Sequence, residues 1–308
     1  MRYLRVGCFL LPPYSNMART FERQQLETSS NAPLELSPQT FARFAGFITG
    51  ELGIKMPESK FALVQNRLLR RIRDLHMKSA EEYANYFFAS ANLHEREHFI
   101  NAITTNKTDF FREPDHFTFL CDVVLPDLGS AATRRGDRFK VWSAGCSSGE
   151  EAYTAGMLLG DYATRQPGFD FAILGTDIST KVLHSARAGI YEDSQLAPVP
   201  PDLRRKYLWH SLNKAKRVSR IAPDLRRKVS FHQLNFMEQD YPIKDVFDVV
   251  FFRNVMIYFE KDVQEAVINK ICRNLGPGGY LFSSHTESVA DLKIPLKCVR
   301  PAVYRKFE

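Results

Sequence analysis

The chain has no apolar run approaching the roughly 20 residues that a membrane-spanning helix requires, so direct membrane insertion is not expected. Its first apolar stretch, VGCFLL, is short and meets Pro12 and Pro13 at once, which is not how a signal-peptide core ends. Cysteine is scarce. There are five in 308 residues, an odd number, with no Cys-x-x-Cys pair and no histidine cluster along the chain. That argues against a disulfide framework and against a zinc site, so no metal ligands are nominated and reduced cytosol is the expected compartment. Two phosphate-binding signatures are missing as well: no Gly-x-Gly-x-x-Gly occurs, and no Lys-Ser/Thr pair follows a glycine loop. No internal repeat or low-complexity tract is evident.

What is present is VWSAGCSSGEE, Val141 to Glu151: an apolar run, a glycine-studded loop, then a helix rich in Ala and Leu. Glycines let a backbone approach a ligand closely, and the helix start behind them offers unpaired N–H groups. Gly145 and Gly149 are followed by two carboxylates, Glu150 and Glu151. Acid there repels phosphate but suits a cationic or hydroxyl-bearing ligand such as S-adenosylmethionine.

Further on, FAILGTDIS reads as a buried strand ending at Asp177, where an acid suits ribose hydroxyls. VSFHQLNF ends near Asn235 and Phe236, placed to bind an adenine edge and cover its face. FDVVFFRN ends at Arg253 and Asn254, and GYLFSSH follows the turn LGPGG. Strand after strand ends in a polar residue, as in a doubly wound sheet with its site beyond the carboxyl ends of the strands. Between Ser37 and Ala102 the apolar spacing is helical instead, as in Phe61, Val64, Leu68, Ile72 and Leu75.

The segments TTNKTDFFRE, SAGCSSGEEAY, GTDISTKVLHSARAGIY, RNVMIYF and LGPGGYLFSSHTES, in this order, closely resemble the CheR family of chemoreceptor glutamate O-methyltransferases. The resemblance runs from about Leu36 to the C-terminus. It implies an α/β, Rossmann-like methyltransferase sheet with a small N-terminal all-helical domain and a small antiparallel β insert. The expected layout is a disordered tail over 1–34, with the natural start left open between Met1 and Met17, then a helical receptor-recognition domain over 35–105. A linker over 106–126 contributes to the cofactor site, and the methyltransferase domain fills 127–308 with its insert at about 200–232. By the same resemblance Asn106, Thr108 and Arg112 contact S-adenosylmethionine from the linker. Gly145 lies in the loop, Glu150 and Asp177 attend the amino-acid and ribose parts, Asn235 and Phe236 the adenine, and Arg253 and Asn254 complete the site. Arg112 and Tyr258 match the positions nearest the methyl group.

The chemistry agrees with a carboxylate acceptor. A free Glu, with a pKa of about 4.3, is ionised at neutral pH, so methyl transfer to it needs no general base, and S-adenosylhomocysteine is the by-product. Arg112 has two assignments open, orienting the incoming carboxylate or holding the cofactor's own, besides a plain ion pair with Glu113 or Asp115. Tyr258 reads either as a site residue or as a core aromatic with its hydroxyl at the surface, while Phe110, Phe111 and Phe259 read as core.

Basic charge is concentrated. Between Leu203 and Lys228 lie ten Lys/Arg and one acid, against a net charge of +7 for the chain. A second group, Lys60, Arg67, Arg70 and Arg71, shares one helix face at about 100° per residue. The resemblance assigns both surfaces, with Lys216 and Arg217 in the insert, to glutamate-rich cytoplasmic helices of chemoreceptors, which would draw a cytoplasmic monomer to membrane receptor arrays. The insert HSLNKAKRVSRIAP has no glycine, whereas members that bind a receptor's C-terminal pentapeptide usually have a Gly-rich turn there. An RNA methyltransferase is the alternative that the basic charge suggests. Yet Tyr207 and Trp209 precede the basic run rather than alternate with it, so no nucleic-acid partner is expected. The Pro-Pro-Tyr of LPPYSN resembles the fourth-strand ending of DNA-base methyltransferases but lies far before the glycine loop.

Overall fold

A computed structural model describes residues 35–89, 93–213 and 215–307. The tail readings over 1–34, including Met17 and LPPYSN, lie outside the described residues.

The helical part starts where the sequence provides a cap. The Thr40 N–H donates to the Ser37 hydroxyl at 3.2 Å, Pro38 sits in the first turn, and α1 runs Pro38–Leu52. It stops at Gly53, whose left-handed φ of 69° lets its N–H bond back to the Thr49 carbonyl. Then come α2 (Phe61–Asp74), α3 (Ala80–Ala89) and α4 (Leu93–Ile103). Spacing of three and four residues puts Val64, Leu68 and Ile72 in one core with Phe44, Ile48, Tyr83, Phe87 and Phe99. Phe44 is central, with the rings of Tyr83, Phe87, Phe88 and Phe99 at 5.1 to 5.8 Å.

The basic face of α2 is not uniform, and this corrects the sequence reading. Arg71 makes a two-pronged pair with the buried Glu95 of α4, at 2.8 and 2.6 Å, and the Tyr83 hydroxyl donates to the same carboxylate at 2.7 Å. Burial pushes the Glu95 carboxyl up, but Arg71 and Tyr83 outweigh it and hold it below the usual range. Arg67 donates to the Ala102 carbonyl and, at 2.9 Å, to that of Thr104, closing the end of α4. Both arginines thus bind helix to helix. Arg70 is exposed and Lys60 half-buried.

A linker leads through α5 (Pro114–Phe119), a π-helical stretch over Leu120–Gly129, and α6 (Ser130–Arg135). The α/β part then runs β1 (Phe139–Ala144), α7 (Glu150–Arg165), β2 (Phe171–Asp177), α8 (Thr180–Ala188), β3 (Ile190–Glu192), α9 (Pro201–Tyr207), β4 (Leu208–His210), β5 (Val218–Ile221) and α10 (Pro223–Arg226). It ends with β6 (Val229–Gln233), β7 (Phe247–Phe251), α11 (Lys261–Arg273), β8 (Leu275–Phe282), β9 (Leu296–Arg300) and β10 (Val303–Lys306). Seven strands form one sheet in the order β6-β2-β1-β7-β8-β10-β9, parallel from β6 to β8 and antiparallel through β10 and β9. This is the α/β methyltransferase fold class that the sequence implies. Alternate residues feed two cores: Phe139, Val141, Ile173 and Phe251 on one face, Trp142, Val250, Phe252 and Leu281 on the other. Both cores are aromatic-rich. Strand order reverses at β1, which pairs with β2 on one side and β7 on the other, so a crevice opens beyond its carboxyl end.

Two local readings need correction. Leu275–Gly279 is part of β8 rather than a turn before it, with a register shift opposite Phe247 and Val249. The small antiparallel sheet, β3-β5-β4, begins at Ile190 and ends at Ile221, while Val229–Gln233 belongs to the main sheet. Much of the insert's basic charge is met locally by acid: Arg205 by Asp202, Lys206 by Asp161, Arg227 by Asp224 and Lys228 by Asp170. Lys216 and Arg217 lie exposed between β4 and β5, without an ion pair among the described residues.

Candidate cofactor and acceptor cleft

The glycine loop folds over the end of β2. The N–H groups of Gly145 and Cys146 donate to the Thr176 carbonyl at 2.7 and 2.8 Å, and the Ser147 N–H to Asp177 Oδ2 at 2.9 Å. Gly145 has φ +83°, and a Cβ there would stand 2.5 Å from a methyl of Val255, so any side chain would fill the crevice. Ser147 is also left-handed, at 49°, and its hydroxyl donates to the Asn106 carbonyl at 2.9 Å, fastening linker to loop. Asp177 accepts a second backbone bond from the Ser179 N–H at 2.9 Å. Burial still pushes its carboxyl above the usual range. Its two oxygens together keep capacity to accept from a hydroxyl donor.

Beyond the loop lies an open cleft lined by both parts of the chain, apolar over much of its wall with a few convergent polar and charged groups, as small-molecule sites are. Leu52, Ile54, Met56, Lys60, Leu63 and Ile103 of the helical part form one wall, and the strand ends form the other. The two are tied together. The Lys55 N–H donates to the Tyr258 carbonyl at 2.8 Å beside an Ile54–Phe259 bridge, and Asn235 Nδ2 donates to the Glu51 carbonyl at 2.8 Å.

Of the nominated residues, Asn106, Thr108, Arg112, Gly145, Asp177, Asn235, Phe236, Arg253, Asn254 and Tyr258 all line this cleft. Glu150 does not, which is a correction. Its buried carboxylate accepts two contacts from the Ser148 hydroxyl, at 2.9 and 2.8 Å, and burial pushes it up to about 7. The cleft wall carries Glu151 instead, held by the Ser143 hydroxyl at 2.7 Å and by Arg253 at 3.2 Å. Consecutive residues at a helix start point about 100° apart, so only one of the pair can face the cleft.

Arg112 makes no ion pair with Glu113 or Asp115. Its guanidinium donates to the Lys107 carbonyl at 3.1 Å, half-buried at the cleft. The acids beside it go elsewhere: Glu113 to Arg253 at 3.2 Å and to the Ser284 hydroxyl at 2.7 Å, Asp115 to His285 at 3.0 Å. Tyr258 is half-buried with the Lys60 ammonium 5.8 Å from its ring centre, so Lys60 belongs to the cleft mouth rather than to an outer face. Phe110 is core as read, whereas Phe259, though buried, also lines the cleft.

Arg253 is 5% exposed and lies between the carboxylates of Glu113 and Glu151, 3.2 Å from each, while also donating to the Arg112 carbonyl. Folding brings Glu113, His116 and His285 together, their ligating atoms within 4.8 Å, although nothing in the chain spacing suggested it. Burial and then Arg253 push His116 down to about 4, so it is neutral at pH 7. The guanidinium already supplies the positive charge that a metal ion would bring to Glu113. Sequence reasoning also missed Ile54, Met56 and Leu63; the signal for the first two was a short apolar pair after Gly53, outside any helical period, whereas Leu63 lies within α2, off its main apolar stripe.

A family model described as "CheR methyltransferase, SAM binding domain" matches residues 106–304, and one described as "CheR methyltransferase, all-alpha domain" matches residues 39–104. A Salmonella typhimurium protein named chemotaxis protein methyltransferase is 37% identical over 259 residues, covering 84% of this chain and 87% of that one. Its Escherichia coli namesake is 35% identical over 260 residues, with 84% and 88% covered. One from Borreliella burgdorferi is 34% identical over 278 residues, with 90% and 97% covered.

Proposed function

The chain belongs to the CheR methyltransferase family and carries that family's SAM-binding domain; from this premise we propose that it methylates glutamate side chains on chemoreceptor cytoplasmic helices, giving glutamate methyl esters and S-adenosylhomocysteine. The observation that carries the reading is the cationic mouth of the cleft. Arg112 has no ion pair among the described residues and, with Lys60 lining the same cleft, suits an anionic acceptor better than a neutral one.

In this reading Asp177 holds ribose hydroxyls, Asn235 and Phe236 the adenine, and Asn106, Thr108 and Glu151 the amino-acid end. The fit is chemical: a buried carboxylate for hydroxyl donors, a glycine where any Cβ would block entry, and a second carboxylate, Glu151, for a cationic group. Bound S-adenosylmethionine supplies an electrophilic methyl carbon. The protein's part is to orient the acceptor carboxylate through Arg112 and Tyr258 and to exclude water behind Ile54, Met56, Phe236 and Val255. No side chain needs to take a proton, because the acceptor arrives ionised.

The deciding experiment supplies labelled S-adenosylmethionine with receptor fragments, bulk RNA and DNA side by side. Base-labile label on receptor is expected; label on RNA alone would replace this reading by the nucleic-acid one. Docking is tested separately. Arg70→Glu combined with Lys216→Glu should raise the KM for receptor about tenfold at low salt, with cofactor affinity unchanged, and the gap should close as salt screens exposed charge beyond about 10 Å at 0.1 M. A wild-type KM in that variant would remove both residues from the docking surface.

A further inference from the structure

Glu287 lies just past the end of β8, 7% exposed, and no cation among the described residues pairs with it. Its carboxylate is spent on backbone. Oε2 accepts from the N–H groups of Asn254 at 2.8 Å and Ser284 at 3.0 Å, and Oε1 accepts from the N–H of Ile257 at 3.2 Å. The Asn254 and Ile257 donors belong to the turn that carries Asn254 and Tyr258 into the cleft, and the Ser284 donor lies just past β8, so Glu287 bridges the two segments. Asn254 is left-handed there, with φ 59°, a conformation that asparagine tolerates better than most non-glycine residues and that the Glu287 contact to its N–H helps to fix. From Asn254 the bonding continues through its side-chain amide to the Ser284 hydroxyl at 2.7 Å, and from that hydroxyl to Glu113 at 2.7 Å. Glu113 meets Arg253, which holds the Arg112 carbonyl and Glu151. A buried charge without a counterion is costly, and hydrophobic packing alone would fill the space more cheaply.

We propose that Glu287 is a positioning residue for methyl transfer, fixing the Asn254–Tyr258 turn, and through Ser284 and Glu113 the Arg112 backbone, in the geometry that aims the acceptor. It touches neither cofactor nor acceptor. The proposal rests on the methyl-transfer reading of the cleft.

Glu287→Gln tests it at constant size. Both carboxylate oxygens accept backbone N–H groups, so an amide in either orientation sets its own NH2 against one of them. The expected result is a fall in kcat of about tenfold or more per cofactor-binding site, with the KM for receptor fragment and the cofactor Kd within about threefold, since a displaced reacting group costs turnover before it costs binding. Glu287→Asp, which keeps two acceptors on a shorter arm, should fall between Gln and wild type. Where Glu287→Gln fails to fold, Ser284→Ala removes only the outer link and should lower kcat severalfold at a wild-type melting temperature. Wild-type kcat in whichever of these two is folded overturns the proposal, as does a loss that tracks melting temperature alone and is equal for Gln and Asp. Tyr258→Phe keeps the two readings apart. Wild-type turnover in Tyr258→Phe defeats the assignment of Tyr258 to the reaction, whereas a crippled Tyr258→Phe beside an unimpaired Glu287→Gln defeats the positioning role only.

Discussion

Replacing Arg253 by methionine is expected to destabilise the protein by about 2 to 4 kcal/mol, because the change removes the buried cation from between two half-buried carboxylates and leaves both uncompensated. That corresponds to a fall in melting temperature of the order of 10 °C. Methionine fills most of the arginine stem's volume, so lost packing contributes little. The effect should depend on pH in a defined direction. Burial raises the Glu113 carboxyl, but the Ser284 hydroxyl and Arg253 outweigh it, so in the native protein it sits below the usual range. A carboxyl lowered on folding contributes stability that is present above its unfolded pKa and lost as pH falls through its folded one. Glu151 is raised by burial, with Arg253 opposing, and without Arg253 it rises further and takes up a proton sooner. In the variant, therefore, acid relieves the uncompensated charge. The gap in melting temperature between wild type and Arg253→Met should be widest near pH 8 and narrow towards pH 5, as thermal scans across that range would record. A gap that stays constant or widens in acid would mean that the guanidinium acts mainly by packing on Phe117, 5.5 Å away, and not by compensating charge.

The parallel sheet was legible because its strands are buried on both faces and read as apolar runs, each broken by the polar residue at its carboxyl end: Asp177, Asn235, Arg253. Those residues converge on the cleft for the same reason they could be read. Where the reading failed, the deciding contact was long-range. Glu150 and Glu151 are equivalent as sequence; only the seating of α7 on the sheet turns one towards Ser148 and the other towards Arg253. Arg67, Arg70 and Arg71 share a helix face by periodicity, but Glu95 and the carbonyls at the end of α4 claim two of them. β3 was missed because three residues are too few to show a period, and its pairing partner, β5, lies well beyond it in the chain. Glu287 had no sequence signal at all, since its three donors are backbone groups.

Asp177→Ala should weaken S-adenosylmethionine binding by about 1.5 to 3 kcal/mol, roughly ten- to hundred-fold, as a charge-assisted acceptor for ribose hydroxyls is lost. Affinity alone does not identify the cause, because Asp177 also accepts the N–H groups of Ser147 and Ser179, and removing it loosens the glycine loop. A double-mutant cycle separates the two effects. Calorimetry would compare S-adenosylhomocysteine with its 2′,3′-dideoxy analogue on wild type and on Asp177→Ala. If Asp177 grips the ribose, wild type loses affinity for the dideoxy compound by a factor similar to that of the mutation, and Asp177→Ala hardly distinguishes the two ligands. If Asp177 only braces the loop, the variant weakens both ligands by the same factor and the preference for hydroxyls persists. Persistence of that preference would transfer the ribose contact to another group on the cleft wall and leave Asp177 as the residue that holds Ser147 in its left-handed turn.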